Sequence, residues 1–129
     1  MNKVLVDSSV WISFFKGNEE GKKLFPLLDS NQACINDLIL AELIPSLNHR
    51  KELILVGLLK SIEKTKLDID WNDIINMQTI NLKNGLNRVG VPDLIIAQNS
   101  IQNKIKLFSF DKHFEIMKKH INLKMFELK

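Results

Sequence analysis

The segment KVLVDSSVWISFF, residues 3–15, restricts what this chain can fold into more than any other. Lys3 to Val6 gives a short aliphatic, β-branched run without polar alternation, the pattern of a strand covered on both faces in a parallel sheet. Ser8 and Ser9 are helix-start residues, and Val10, Trp11, Phe14 and Phe15 follow at a spacing that lays a helix back over that sheet. Asp7 falls at the handover, at the carboxyl end of a central strand, where open α/β sheets gather ligands and chemistry.

The rest of the chain continues that pattern. Glu19 to Leu28 supports a short amphipathic helix with Leu24, Leu27 and Leu28 inward, its regularity limited by Pro26. Ala33 to Ile35 reads as a second buried strand, and Asn36 or Asp37 caps a helix over Leu38 to Ile44. Apolar residues surround the axis of that helix, so it is expected to be buried with Glu42 inside it, and Pro45 is expected to kink or end it. Glu52 to Ile62 makes a further amphipathic helix, Lys66 to Ile69 a candidate strand, and Asp70 caps a helix whose buried stripe is Trp71, Ile74, Ile75, Leu82 and Leu86. After a stop at Gly85 to Gly90, Pro92 opens a helix with Asp93 in its first turn, where the helix dipole favours negative charge. Ile105 to Ser109 is the next strand, followed by Asp111, a helix over Lys112 to Lys119 and a last strand at Lys124 to Leu128. Strands alternating with helices predict an α/β fold with a mostly parallel sheet.

Length and composition set limits. The 129 residues are expected to form one domain, residues 1–129, and 45% hydrophobic with 26% charged content is that of a soluble protein. No apolar run approaches the roughly 18 residues a membrane span needs, and Asp7 interrupts the only apolar start a signal peptide could use, which predicts a cytoplasmic location. The single Cys34 forms no internal disulfide and no Cys-based metal motif, and is expected in the core. A net charge of +3 favours a polyanionic partner only weakly, and most lysines read as solvated surface.

Four acids carry the functional argument: Asp7, Glu42, Asp93 and Asp111. Taken singly, Asp7 is also an ordinary strand-end acid, Asp93 a helix-start charge and Asp111 a turn residue. Glu42 differs, because a carboxylate buried in an apolar helix without a partner costs several kcal/mol. If the four converge, their repulsion requires a cation. Oxygen ligands without a His or Cys set favour Mg²⁺ or Mn²⁺ over zinc, and those ions serve phosphate chemistry by activating water and stabilising the charge that builds up in phosphodiester hydrolysis.

The stretches VDSSVWISFF, ILAELI around Glu42, GVPDLIIAQ around Asp93 and LFSFDKHF around Asp111 resemble, in order and spacing and over nearly the whole chain, the PIN-domain ribonucleases, and among them the VapC toxins of toxin–antitoxin pairs. The resemblance implies a three-layer α/β/α PIN-like domain and Mg²⁺- or Mn²⁺-dependent cleavage of RNA, with Asp7, Glu42, Asp93 and Asp111 as catalytic, metal-binding residues. It also implies a cognate antitoxin and a homodimer. Ser9 and Ser109 match small hydroxyl positions beside the acids, while also reading as helix-start and strand-end serines. The homodimer has support from the residues themselves, since the short helices around Leu24 to Leu28 and Leu53 to Leu59 present much apolar surface, and Leu53, Ile54, Leu55, Val56, Leu58 and Leu59 exceed what one helix face hides.

Arg88 and Lys112 are candidates for RNA phosphate contacts and equally plain solvated charges. His49, His113 and His120 lack ligand spacing and are expected at the surface, and Trp11, Phe14 and Phe15 in the core. Two other readings remain: a receiver-type phosphoacceptor signalling domain, which needs paired acids after the first strand where this chain has serines, and a non-catalytic RNA- or partner-binding PIN-like module.

Overall fold

A computed structural model describes residues 2–127. The apolar run at the start forms β1 (Val4–Val6), with all three residues buried, and it has a parallel neighbour on each side. On one side Leu5 lies opposite Cys34 of β2 (Ala33–Ile35), and on the other opposite Leu107 of β4 (Lys106–Phe108). A two-residue strand, β3 (Glu63–Lys64), pairs with β2 and completes a parallel sheet of order β3-β2-β1-β4. β1 is therefore central, as its lack of polar alternation requires.

Seven helices flank the sheet, the first six in its crossovers and the last after β4: α1 (Ser8–Phe15), α2 (Phe25–Asp29), α3 (Asp37–His49), α4 (Leu53–Ser61), α5 (Trp71–Lys83), α6 (Val91–Gln102) and α7 (Lys112–Met117). The first two crossovers step the same way along the sheet and the third steps back. With right-handed connections, α1 to α4 cover one face and α5 and α6 the other. The core between them holds Trp11, Leu5, Ile39, Ile96 and Phe114, none with exposed surface, and Trp11 Nε1 donates to the Val6 carbonyl at 3.1 Å. Cys34 is buried and unpaired. Among the described residues no helix is long and apolar enough to cross a membrane.

Several elements differ from expectation. The single helix over Glu19 to Leu28 is a 3₁₀ turn, Gly21–Leu24, followed by α2, with Pro26 in α2's first turn where its missing N–H costs nothing. α3 continues through Pro45 to His49. The carbonyl that Pro45 leaves without a helical donor belongs to Ala41, which is exposed and open to water. α3 is also not buried all round, because Ala41, Glu42, Pro45 and Ser46 face outward. Residues 66–69 form no strand. Their carbonyls accept instead from side-chain amides of α6, Asn99 Nδ2 to Lys66 at 2.9 Å and Gln102 Nε2 to Asp68 at 2.9 Å. In α5 the buried residues are Ile74, Met77 and Asn81, while Trp71, Ile75 and Leu82 are exposed. The last strand reduces to one parallel bridge, Leu107 to Met125, and Leu128 lies outside the described residues.

Candidate active site

β1 and β4 end side by side, with Asp7 N donating to the Phe108 carbonyl at 2.9 Å, and the chain turns from each strand into a helix. Asp7 caps α1 through its backbone: its carbonyl accepts from Val10 N at 3.1 Å, and its side chain makes no cap bond. The carboxylate is thereby left for other partners. Ser9 Oγ donates to Asp7 Oδ2 at 2.9 Å and Ser109 Oγ to the same oxygen at 2.8 Å. Each hydroxyl in turn accepts a backbone N–H, Ser9 from Phe110 at 3.1 Å and Ser109 from Asp111 at 3.0 Å. A hydroxyl has one hydrogen, so with both hydrogens directed at Asp7 the 3.3 Å approach of the two serine oxygens is a contact and not a third bond. Asp7 is only 5% exposed, and this clamp holds its carboxylate in one orientation across the ends of two strands.

Asp93 enters from the first turn of α6, where Gly90 and Pro92 start the helix. Asp111 is the N-cap of α7 and accepts from His113 N at 2.9 Å. The His113 ring turns back over both acids, with Nδ1 3.4 Å from Asp111 Oδ1 and 4.0 Å from Asp93 Oδ2. One donor atom from each of Asp93, Asp111 and His113 lies within 4.8 Å of the others. Asp7 and Glu42 stand outside that tight group and act on it through charge. Burial, then Asp111 and Asp7, push the Asp93 carboxyl up from 3.8 to about 6, against the pull of His113. The Glu42 carboxyl is also raised, by desolvation first and then by Asp7 and Asp93, with the Ser8 hydroxyl offsetting part of the rise. Glu42 is thus an exposed residue whose charge is felt by the other acids, not the buried acid its helix suggested.

The four acids expected from the sequence therefore face a common region above the carboxyl ends of β1 and β4, and Ser9 and Ser109 touch Asp7 directly. Arg88 and Lys112 are exposed and make no ion pair among the described residues. His113, expected at the surface, instead turns its ring onto Asp93 and Asp111; its signal in the sequence is its place two residues after Asp111, across a helix start. A second missed feature joins the helices that carry Glu42 and Asp93. Asn36, the N-cap of α3, donates from Nδ2 to Asn99 Oδ1 of α6 at 3.0 Å, and Thr65 Oγ1 donates to the same oxygen at 2.6 Å. Asn36 and Asn99 are buried and fully engaged, which fixes α3 against α6.

The donor set fits a divalent cation. Hard carboxylate oxygens converge without a neutralising Lys or Arg ion pair among the described residues, and the buried His113 Nδ1 has no hydrogen-bond partner.

Comparison with known proteins identifies the family and the fold. The PIN-domain family model matches residues 4–119, so the chain belongs to the PIN-domain family and is a PIN-type nuclease. Among solved structures it is similar to VapBC2 from Rickettsia felis bound to a promoter DNA fragment, at 19% identity, TM-score 0.74 and 98% of each chain covered. DNA-bound VapBC from Salmonella typhimurium is similar at 18% identity, TM-score 0.72 and 98% of each chain. FitAcB from Neisseria gonorrhoeae is similar at 18% identity, TM-score 0.67 and 96% of each chain. At such identities the likeness is one of fold. No curated protein matches the sequence significantly. Family membership removes the receiver-domain alternative.

Proposed function

We propose that the chain is a metal-dependent endoribonuclease, hydrolysing RNA phosphodiester bonds with Mg²⁺ or Mn²⁺, and the toxin of a toxin–antitoxin pair. The observation that carries the reading is the clamped Asp7 carboxylate beside Asp93 and Asp111 at the ends of β1 and β4, with Glu42 adding charge from α3.

A cation held by Asp93, Asp111 and Asp7 would offset charge on the scissile phosphate and polarise the attacking water. The protein's own contribution is positional. Ser9 and Ser109 spend their hydrogens on Asp7 and keep it aimed, and the Asn36–Asn99 bond keeps the helices of Glu42 and Asp93 in register. A groove of about 370 Å³ runs beside Glu42, lined by Ile12, Phe15, Lys16, Leu43, Leu47 and Arg50. Lys16 and Arg50 lie in it beside the acids Glu42 and Glu52, and the exposed Arg88 and Lys112 remain candidates for contacts to the RNA phosphates. A cognate antitoxin is supported by the toxin–antitoxin complexes among the similar structures. A homodimer is supported by the exposed Leu53 and Ile54 of α4.

Asp7→Asn tests the reading. It keeps the size of the side chain and removes the charge, so RNA cleavage should fall on the order of 100-fold or more with the circular dichroism spectrum unchanged. Cleavage by the parent should also stop in chelator and return with Mn²⁺ or Mg²⁺. Undiminished cleavage by folded Asp7→Asn, or cleavage in chelator, would exclude this mechanism. A parent that binds RNA without cutting it under any metal would establish the non-catalytic module instead.

A further inference from the structure

His113 is the one group at the site that the four-acid chemistry does not use. It sits in the first turn of α7, one-third exposed, with its ring edge turned inward. Nδ1 is buried and lacks a hydrogen-bond partner, and it is the only such side-chain atom among the described residues. A nitrogen lone pair facing two carboxylate oxygens is repelled unless a proton or a cation lies between them. The contacts to Asp111 at 3.4 Å and Asp93 at 4.0 Å are too long or too bent for a hydrogen bond. Both separations fit donors sharing one cation, because two ligands at about 2.0–2.2 Å from a metal are at most about 4.4 Å apart.

We propose that His113 Nδ1 is a nitrogen ligand of the cation at this site, alongside Asp93 and Asp111, and that it makes the site select a first-row transition ion such as Mn²⁺ over Mg²⁺. The inference rests on the nuclease reading for the existence of a metal site and adds the ligand and the selectivity. The chemical ground is donor type. Mg²⁺ is held by oxygen and keeps its waters, whereas imidazole suits transition ions, so a single nitrogen shifts the balance toward them. The other histidines are placed elsewhere: His120 Nε2 is bonded to Asn81 Oδ1 at 2.7 Å, and His49 is exposed at the end of α3.

Pulsed electron paramagnetic resonance of Mn²⁺ bound to the chelator-stripped full chain reads the ligand directly, and calorimetric titration with Mn²⁺ and with Mg²⁺ reads the selectivity. The parent should show nitrogen modulation from an imidazole. In His113→Ala that modulation should vanish, with Mn²⁺ affinity falling about tenfold or more and Mg²⁺ affinity changing less than about threefold. Should His113→Ala fail to fold, the parent spectrum still decides. Mn²⁺ bound without nitrogen modulation, or equal loss of both metals in folded His113→Ala, overturns the nitrogen ligand and leaves the nuclease reading standing. No Mn²⁺ binding by the parent overturns both.

Discussion

Asp93 shows at the residue scale what it costs to gather acids before a cation arrives. Its carboxyl is pushed up from 3.8 to about 6 by burial first, then by Asp111 and Asp7, so the folded protein binds that proton more tightly than the unfolded chain does. The associated stability is fully present below pH 4 and is lost as pH rises through about 6. A rise of that size is worth at most about 3 kcal/mol. Asp93→Asn removes the charge, so in chelator at pH 8 it should melt above the parent, and the gap should close on titration toward pH 4. Metal should reverse the ranking, since a ligand of the folded state stabilises by mass action and Asn offers it less. Melts of both proteins with chelator and with millimolar Mn²⁺ check both signs; an Asp93→Asn that is less stable without metal and equally responsive to it would reduce Asp93 to a helix-start charge. The acids were legible because each stands at a strand–helix handover or on a helix, positions that sequence pattern marks well. His113 was not, because ligand spacing within one segment cannot show a ring folding back onto Asp93, twenty residues earlier in the chain. Glu42 was located correctly and buried wrongly: six apolar neighbours implied a helix hidden all round, whereas α3 keeps an outward face through Ala41, Pro45 and Ser46.

At the scale of elements, the fold depends on a close approach that no hydrophobic pattern announces. Gly21 opens the 3₁₀ turn that packs on the end of α1, and a Cβ built on it would collide with the backbone of Ser13 and Phe14. Backbone cannot swing aside as a side chain can, so relief means separating the turn from α1, with Leu24 drawn out of the core. Gly21→Ala should therefore cost about 3 kcal/mol or more, above the usual overpacking range, while Gly57→Ala, where the added methyl meets nothing within 4 Å, should be neutral or stabilising. Urea denaturation of the two variants makes the comparison, and a mild Gly21→Ala would mean the turn can move. Glycine in Glu19 to Leu28 reads only as a weak helix residue, which explains why that segment was expected to be one helix. The same limit explains β3. Its two exposed charged residues carry no strand signal, and the parallel register with Cys34 and Ile35 comes from the crossover alone, whereas the more apolar 66–69 gives its carbonyls to α6. β1 and β2 were legible because burial on every side leaves an uninterrupted apolar run, and α6 because Pro92 marks its start before the apolar Leu94 to Ala97. Of the two outcomes expected at Pro45, a kink or an end, the end does not occur. Its local cost was read correctly, but tertiary packing of Leu43 and Leu47 holds the helix across it.

For the molecule as a whole, the surface that invites association lies on helices and not on sheet edges. β3 is a two-residue edge of exposed Glu and Lys, and the outer side of β4 is occupied by the bridge to Met125, so both edges are poor templates for another strand. Helix faces differ. On α4, Leu53 is 69% and Ile54 89% exposed, and on α5, across the sheet, Trp71 and Ile75 are 57% and 64% exposed. α4 is nearly all apolar, with only Lys60 and Ser61 polar at its end, so water leaves its outer face at little desolvation cost, whereas α5 interleaves Asn72, Asp73 and Asn76 with its exposed apolar residues. The homodimer is accordingly expected through α4. Light scattering at micromolar concentration should give the mass of two chains for the parent and of one for Ile54→Lys, while Ile75→Lys keeps the parent mass. Because Ile54 is almost wholly exposed in the single chain, the lysine costs the fold nothing, and the variant's circular dichroism should match the parent's. A monomeric parent would remove the dimer, and dissociation by Ile75→Lys with Ile54→Lys unaffected would move it to the opposite face.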